Sequence, residues 1–259
     1  MNVIAWLKAR PNVMRAISVL AFFAFWEIAA RDVSPLFLSP PSKIFAASWS
    51  ITISGELPRA FLASMIPFSI GLIISIVGGI AIGMLTAQFW WIEYLLDPFI
   101  NALYAIPRVA LVPLIILWMG LATAGKVTIL VSIAIFPVII NTYSGIKDVR
   151  GSLLEIGRAY GATERQIFFK IIMPASIPYI MAGIRLAVGL AIIGMIVAEF
   201  FTAITGLGGL IVNYANTFAT AKLFVPIVVL GLLGVGMTEA VQYLERRLSR
   251  WRILERERF

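Results

Sequence analysis

The sequence contains no cysteine and no histidine. Without thiols the chain can form neither a disulfide nor a thiolate metal site. Without imidazoles it lacks the usual base of a serine or cysteine nucleophile. Charged residues are also scarce, since they make up 13% of the 259 residues, against roughly 25% in soluble domains. These absences exclude most enzyme classes, so we predict no catalytic residue and no metal site.

Apolar residues take the place of the missing charges. They make up 61% of the chain, and the mean hydropathy is +0.96. Uncharged stretches such as 60–92 and 127–146 are long enough to cross a bilayer, because about 20 helical residues span its hydrocarbon core. The net charge of +8 does not indicate nucleic-acid binding, since the basic residues lie between apolar runs and at the chain ends. We therefore predict an all-α membrane protein.

The apolar runs predict a single transmembrane domain over 1–259 with six spans. Their approximate bounds are 13–31, 60–87, 93–119, 124–147, 175–203 and 222–246. The first run has the length of a signal-peptide core, but no cleavage site follows it, so we interpret it as an uncleaved span. The third span contains three prolines and an arginine and is expected to be broken or kinked. The longest outer stretches are about 32–59 and 204–221.

Lysine and arginine positions orient these spans, because cytoplasmic loops carry an excess of both. With the N-terminus inside, the inner segments hold Lys8, Arg10, Arg15, Lys147, Arg150, Arg158, Arg165, Lys170, Arg246, Arg247, Arg250, Arg252, Arg256 and Arg258. The outer segments hold Arg31, Lys43, Arg59, Lys126 and Lys222. Both termini, the segment 150–174 and the basic tail 245–259 are therefore predicted to be cytoplasmic.

The segment 150–174 is unusually polar for a chain of this composition. Residues 155–161 are predicted to form a short helix, with Glu155 at its N-terminal end and Gly161 as its terminator. Thr163 and Gln166 fit a capping box that opens a second helix.

Two prolines, Pro174 and Pro178, are expected to mark the junction of that second helix with the fifth span. A short helix held between two helix starts is rigid, whereas a loose connector needs no such capping. The segment therefore indicates a surface presented to the cytosol.

Several polar side chains fall inside the predicted spans, where a charge is costly and usually pairs or faces a cavity. Arg108 follows Pro107 in the broken span and is a candidate for a water-lined path. Glu199 is interpreted either as a paired structural residue or as a solute contact. Asn101, Tyr104 and Asn141 either form interhelical hydrogen bonds or line the path. The candidate path residues are thus Asn101, Tyr104, Arg108, Asn141 and Glu199.

The sequence contains one incomplete match to a nucleotide-binding motif. Residues 120–127 nearly match the phosphate-binding loop, but Val127 stands where a serine or threonine would hold magnesium. The stretch also joins two apolar helices on the outer side, where a strand should precede the motif. We interpret it as a short turn, so no cofactor is predicted in this chain.

In the segment 150–174 the chain resembles the permease subunits of binding-protein-dependent ABC importers. Their signature is Glu-Ala-Ala-x3-Gly-x9-Ile-x-Leu-Pro, and Glu155, Gly161, Ile171 and Pro174 match it at the same spacings. Departures occur at Ile156, Gly157 and Met173. Other stretches resemble the nitrate, sulfonate, taurine and bicarbonate branch, namely 38–42, 96–98, 106–113, 117–120, 181–185, 198–199 and 206–208.

The resemblance implies a fold and a set of partners. The fold would be a six-helix bundle of the type I ABC importer permease kind with a cytoplasmic coupling helix, in the bacterial inner membrane. The partners would be a second permease copy in a homodimer, two ATPase subunits that bind ATP and magnesium, an external solute-binding protein and the lipid bilayer. The chain would be a transport subunit and not an enzyme. The ATPase-coupling residues would be Glu155, Arg158, Ala159, Tyr160, Gly161 and Ala162.

The expected function is therefore the permease of an ATP-driven importer for a small solute. An organic or inorganic oxyanion such as sulfonate, taurine, nitrate or bicarbonate is expected, because Arg108 in the path would suit one. The alternative is an ion-coupled secondary transporter or channel. That class would need paired intramembrane acids or a repeat architecture, and the sequence offers Glu199 without an evident partner.

Overall fold

A computed structural model describes residues 11–202 and 205–249. Some parts of the predictions lie outside the described residues. They are the cytoplasmic residues Lys8 and Arg10, position 203 of the fifth span, and 250–259 of the basic tail. The described α-helices are α1 (Pro11–Ala29), α2 (Pro41–Ile53), α3 (Glu56–Gln88), α4 (Trp90–Ala105), α5 (Val112–Met119), α6 (Thr123–Lys147), α7 (Gly151–Ala159), α8 (Glu164–Ile167), α9 (Met173–Thr202), α10 (Gly206–Asn216) and α11 (Thr220–Leu248). A 3₁₀ turn (Arg108–Leu111) precedes α5, and a π-helical turn (Phe168–Ile172) joins α8 to α9.

Four continuous helices in the described part of the chain are long and apolar enough to cross a membrane. They are α3, α6, the run Glu164–Thr202 that ends with α9, and α11. The pair formed by α4 and α5 is a fifth candidate if the two helices make one bent span. Helix α1 occupies the place of the predicted span 13–31. Six spans therefore remain a prediction.

Helix α6 lies at the centre of the bundle, packed between α3 and α9. A Cβ atom on Gly71, Gly79 or Gly83 of α3 would come 2.6 to 2.7 Å from atoms of α6. On the other side, a Cβ on Gly183 or Gly194 of α9 would lie 2.9 or 3.1 Å from α6 backbone atoms. Lipid tails are as apolar as leucine, so helices associate in a membrane largely through such close packing. The glycines thus hold α3, α6 and α9 together as one unit.

The predicted third span, 93–119, is two helices at a right angle and not one kinked helix. The axes of the two parts differ by 92°. The break falls at Pro107, which lacks an N–H group, and Ile106 before it has extended backbone with φ −67° and ψ 134°. Pro98 lies inside α4, and Pro113 lies in the first turn of α5, where a proline is tolerated.

Two helices lie in the stretches 32–59 and 204–221, for which the sequence analysis predicts none. Helix α2 begins at Pro41, where the fixed backbone angle of proline favours a first helical turn. Its Ser42 N–H and hydroxyl donate to the Glu27 carboxylate of α1, at 3.0 and 2.9 Å. Helix α10 starts with three glycines in four residues, a composition more typical of a loop.

The helices share two ends. At the first, which we call the α10 end, α10 meets the last turn of α9 and the first turns of α6 and α11. There Lys126 donates to Thr205 at 2.9 Å, and Thr220 donates to the Leu36 carbonyl at 2.6 Å. At the opposite end, the α7 end, α6 finishes at Lys147 and α7 follows.

Candidate coupling surface and translocation path

Helix α7 begins at Gly151, so the predicted position of Glu155 at an N-terminal end is wrong. Glu155 lies in the middle of the helix, and its side chain is exposed. The helix starts earlier because residues 151–154 contain no proline, and two of them, Leu153 and Leu154, favour helix formation.

The C-terminal end of α7 is a complete Schellman motif. The N–H of Ala162 donates to the Gly157 carbonyl at 3.0 Å, and the N–H of Gly161 donates to the Arg158 carbonyl at 2.9 Å. Gly161 has φ +73°, a left-handed conformation that glycine adopts without strain. The prediction of Gly161 as helix terminator is confirmed.

The predicted capping box is also confirmed. Thr163 accepts from the Gln166 N–H at 3.3 Å, and the Gln166 side chain accepts from the Thr163 N–H at 2.9 Å. A salt bridge of 3.3 Å joins Arg158 of α7 to Glu164 of α8. Both of its side chains are mostly exposed, so it contributes little stability by itself.

Gly157 fits α7 against the next helical turns. Its side-chain position is buried, and a Cβ there would lie 2.7 Å from Cδ1 of Ile171 and 3.4 Å from Cγ1 of Ile167. A single Cβ at this position would meet only the flexible end of Ile171, whereas a larger side chain would push α7 away from the π turn.

The junction with α9 differs from the prediction, because Pro174 and Pro178 lie inside a continuous helix. The run Glu164–Thr202 has no break at either residue. A proline clashes with the carbonyl four residues earlier and has no N–H to donate. The π turn Phe168–Ile172 immediately precedes Pro174 and widens the helix where that clash would occur. The segment is thus mechanically continuous with the span.

The predicted coupling residues lie together on α7 and its cap. Glu155, Arg158, Ala159, Tyr160 and Gly161 are exposed, and Ala162 is half-buried. Apolar side chains are exposed beside them, including Ile156, Phe169 and Tyr160, which is 88% exposed. We call this surface, from 151 to 162 with Phe169, the α7 face. Its exposed aromatic and aliphatic groups are typical of a surface that another protein covers.

A row of polar side chains follows one side of α4 and continues past its end. Glu93, Asp97 and Asn101 are spaced by four residues, which places them on one face of α4, and Arg108 follows in the break after the helix. Asn101 donates to Asp97 at 2.9 Å, and both side chains are exposed. None of the residues of α4 is buried within this chain. We call this row the α4 stripe.

The α7 end of the stripe is tied to α6. The Glu93 carboxylate accepts from the Tyr143 hydroxyl at 2.5 Å and from the Lys147 ammonium at 2.7 Å. These bonds use both oxygens of Glu93, and they attach the start of α4 to the last turns of α6.

Arg108 lies at the other end of the stripe, in the break between α4 and α5. Its guanidinium lies 4.8 Å from the ring centroids of both Tyr104 and Phe136. It donates to the Ile133 carbonyl at 3.2 Å and to the Tyr104 carbonyl at 3.0 Å. Its Nε is buried without a partner among the described residues. Each terminal nitrogen keeps a second N–H, so this guanidinium between two rings is suited to an anionic group.

Asn141 lies on the side of α6 that faces α9, not on the side that contacts α4. Its Cβ faces Gly183 of α9, and its amide donates to the Pro137 carbonyl of its own helix at 2.8 Å. The interhelical hydrogen bond considered for Asn141 is therefore not formed, because the amide bonds to a carbonyl of α6 itself.

Glu199 lies at the α10 end, in a buried site built by three helices. Its carboxylate is 0% exposed and accepts from the Ser64 hydroxyl at 2.6 Å and from the Gly208 N–H at 2.7 Å. Ser64 in turn accepts from the Leu207 N–H at 2.8 Å. We call this group, Ser64, Glu199, Leu207 and Gly208, the Glu199 site. Because both carboxylate oxygens are bonded inside the protein, Glu199 is a structural residue here, and its predicted place in the path is not supported.

Gly206 is required by the same site. A Cβ at Gly206 would lie 2.1 Å from Oε1 of Glu199, and its φ of +94° disfavours any other residue.

The chain matches the binding-protein-dependent transport system inner membrane component family over residues 79–250. The chain belongs to this permease family. Among its relatives, the formylaminopyrimidine transport permease protein ThiX of Halalkalibacterium halodurans is 36% identical over 90% of this chain and 93% of the relative. The aliphatic sulfonates transport permease protein SsuC of Escherichia coli is 34% identical over 88% of each chain. The resemblance to ABC importer permeases, including the sulfonate branch, is confirmed.

The fold of the permease agrees with that of a solved relative. A chain of the MetNI methionine ABC transporter in an inward-facing conformation matches with a TM-score of 0.55, over 77% of this permease and 97% of that chain. At 19% identity this likeness concerns the fold alone. The predicted all-α fold of the ABC importer permease kind is confirmed.

Sequence reasoning missed several residues of these sites in the permease. Gly157 was read only as a departure from the signature, and Ser64 carried no signal at all. Glu93 and Asp97 could have been found, because their spacing of four continues to Asn101 on one helix face. No three acidic side chains in 11–202 and 205–249 lie close enough to hold a metal ion together.

Proposed function

We propose that the α7 face docks on a separate ATP-binding subunit and couples this ABC importer permease to ATP hydrolysis. The observation that supports it is the doubly capped short helix: the Schellman motif at Gly161 and the capping box at Thr163 hold α7 rigidly beside the helix that becomes α9. ATP and magnesium would be bound by the partner. The docking residues would be Glu155, Arg158, Ala159, Tyr160, Gly161 and Ala162.

Energy transfer requires such a rigid connection. ATP can shift the equilibrium between inward-open and outward-open permease only through its different affinity for the two states. Binding of ATP to the partner must therefore move part of the permease. Because Glu164–Thr202 is one continuous helix, a displacement of α7 at one end would reach the Glu199 site at the other.

A second copy of the permease would complete the translocation path. Asp97 and Asn101 are exposed on α4, and polar groups at membrane depth are costly unless protein or a water-filled cavity covers them. A homodimer whose two α4 stripes face a shared cavity satisfies this requirement. Asn101, Tyr104 and Arg108 would line the path, whereas Asn141 would reach it only if α6 and α9 separated.

The permease would lie in the inner membrane of a bacterial cell, with the α7 end facing the cytoplasm. The start of α1 and the end of α11 would lie on the same side, so both termini would be cytoplasmic. Lys147, Arg150, Arg158, Arg165 and Lys170 all belong to the α7 end, and basic residues favour the cytoplasmic side. An external solute-binding protein would then deliver the solute to the α10 end.

The solute would be a small oxyanion such as a sulfonate, taurine, nitrate or bicarbonate. Each terminal nitrogen of Arg108 makes one hydrogen bond and keeps a second N–H, and these groups support an anionic solute. The relative named for aliphatic sulfonates supports an oxyanion, whereas the relative named for formylaminopyrimidine supports a heteroaromatic compound. A planar cation between rings suits either an oxyanion or an aromatic acid.

Reconstitution tests the proposed function. Proteoliposomes with the permease alone are expected to show no ATP-driven uptake of labelled taurine or ethanesulfonate. Vesicles that also contain the ATP-binding subunits and the binding protein of the same transporter are expected to show it. ATP-driven uptake by the permease alone would contradict the proposal. Gradient-driven uptake without any ATPase would instead support an ion-coupled transporter or a channel.

Replacing Arg108 with glutamine is expected to reduce uptake of an anionic solute by about tenfold or more. A hydrogen bond to a charged group contributes roughly 1.5–3 kcal/mol, which corresponds to that factor. Uptake of labelled ethanesulfonate and the ATPase rate would be measured on the same vesicles, and the ATPase rate should change little.

Arg185 provides a matched control for that substitution. It also lies in a span, but it is ion-paired with Glu245 of α11, away from the α4 stripe. Because Arg185 lies away from the proposed path, Arg185→Gln should leave uptake per folded transporter within a factor of about two. Equal losses in both variants would show that the effect of Arg108 is structural.

A further inference from the structure

A cavity of about 580 Å³, lined by both polar and apolar residues, opens at the α10 end between α3 and α10. Arg59, Ala60 and Ala63 of α3 form one wall, and Asn213 and Asn216 of α10 form part of the other. No residue of α4, α5 or α6 lines it, so the cavity is separate from the α4 stripe. The path proposed above therefore does not account for it.

Arg59 gives this cavity a positive charge. Its guanidinium folds back to within 3.3 Å of the Cβ position of Gly55, and its side chain is exposed. Among the described residues, no carboxylate lies within ion-pair distance of it. The amides of Asn213 and Asn216 add hydrogen-bond donors to the opposite wall.

The charges around the cavity are mainly basic. Lys222 lies 5.8 Å from the ring of Tyr214, which neighbours Asn213 on α10. The nearby acids are Glu56 at the start of α3 and Glu199, whose carboxylate lies behind Gly206 and has both oxygens bonded inside the protein. Burial raises the pKa of Tyr214 above its usual range, and the Glu56 carboxylate adds to that rise. Lys126 donates to Thr205 of the cavity lining, so the basic residues Arg59, Lys126 and Lys222 outnumber the two acids. The surface is therefore complementary to an anionic group.

The α10 wall of the cavity is held in a fixed position. Gly206 and Gly209 line the cavity, and the N–H groups of Leu207 and Gly208 between them are bonded to Ser64 and Glu199. On the α3 side, Ala63 of the cavity immediately precedes Ser64 of the Glu199 site. A binding site is more selective when its walls do not have to be ordered on binding.

We propose that this cavity receives a carboxylate side chain of the external solute-binding protein, with Arg59 as the residue that pairs with it. The inference rests on the proposed function, which places a binding protein at the α10 end. A protein carboxylate is favoured over the solute because the cavity lies off the α4 stripe. It is favoured over a lipid headgroup because the cavity is bounded by two helices whose spacing the Glu199 site fixes.

The absence of cysteine allows a direct test of the charge in the cavity. Asn213→Cys would introduce the only thiol of the chain. In vesicles, it would be labelled from the outside with the negatively charged and positively charged methanethiosulfonate reagents of similar size. Each rate would be divided by the rate of the same reagent with a small free thiol, because the thiolate itself favours the cationic reagent. The relative rate of the anionic reagent is expected to be several-fold higher, and Arg59→Gln should abolish that preference. Equal relative rates, or a higher relative rate for the cationic reagent, would overturn the proposal.

The partner is tested on the whole transporter in lipid nanodiscs. Arg59→Glu is expected to raise, by about tenfold or more, the concentration of binding protein that gives half of the maximal ATPase stimulation. Lys43→Glu, an equal change of charge on α2 at the same end, should have little effect, since Lys43 does not line the cavity.

The outcomes separate this inference from the proposed function. If the wild-type transporter responds to the binding protein and Arg59→Glu responds at the same concentration, the docking inference is wrong and the proposed function stands. If Arg59→Glu loses solute uptake with unchanged stimulation, the cavity binds solute instead, which also overturns the inference. A wild-type transporter that no binding protein stimulates would overturn both.

Discussion

Glu199→Ala is expected to lower the free energy of unfolding by about 3–5 kcal/mol. The change leaves the Ser64 hydroxyl and the Gly208 N–H buried without an acceptor, and each such group costs roughly 1–3 kcal/mol. The cavity left by the side chain adds to this loss. Since folded domains are stable by only about 5–15 kcal/mol, little would remain. Thermal unfolding in detergent, followed by tryptophan fluorescence, would measure the change.

Two further variants make this prediction specific. Glu199→Gln keeps the size and one acceptor oxygen, so its loss should be smaller than that of the alanine variant. Glu239→Ala removes an exposed acid from α11 and should change stability by less than about 1 kcal/mol. In a double-mutant cycle, Ser64→Ala and Glu199→Ala should be clearly non-additive, because they share a hydrogen bond. Wild-type stability of Glu199→Ala would show that the site does not hold α10.

Gly157→Leu is expected to abolish ATP-driven uptake while the spans stay folded. The new side chain would enter the space occupied by Ile171, whose Cδ1 already lies 2.7 Å from the Cβ position, and would push α7 away from the π turn. The docking surface would then be displaced relative to α9. Uptake by the complete transporter and co-purification of the ATP-binding subunits would be measured together, and both should be lost.

Gly157→Ala is the graded control for this change. It adds one carbon, which the flexible end of Ile171 can accommodate, and alanine favours helix by about 1 kcal/mol over glycine. Uptake should therefore stay within a few-fold of wild type. Full uptake and normal subunit binding by Gly157→Leu would mean that the position of α7 does not matter, and the proposed coupling role would be wrong.

The membrane helices were predictable because hydrocarbon thickness constrains length and composition together. Helices α6, α9 and α11 begin and end within about two residues of the predicted bounds. The outer helices α2 and α10 were missed, because they are short and one opens with glycines that favour loops. What makes α10 helical is tertiary: its first N–H groups find acceptors on Ser64 and Glu199, which lie far away in sequence.

The candidate sites were predictable to the extent that their geometry is local. The terminator at Gly161 and the capping box at Thr163 depend on neighbours within a few residues, and both were predicted. The start of α7 was misplaced because no sharp N-terminal signal precedes it. Glu199 was grouped with the path because a sequence shows that an acid lies in a span, but not which partners bury it.

The close contact of α6 with α3 and α9 tolerates fewer substitutions than the exposed surface of α4. Five glycines in that contact leave no room for even a methyl group without displacement of a neighbour. Asp97 and Asn101 in the middle of the α4 stripe, by contrast, are exposed on a helix with no buried residue in this chain, so their side chains can change without disturbing that frame. Mutations on α4 can therefore change the specificity for the solute while the packing of α3, α6 and α9 stays the same.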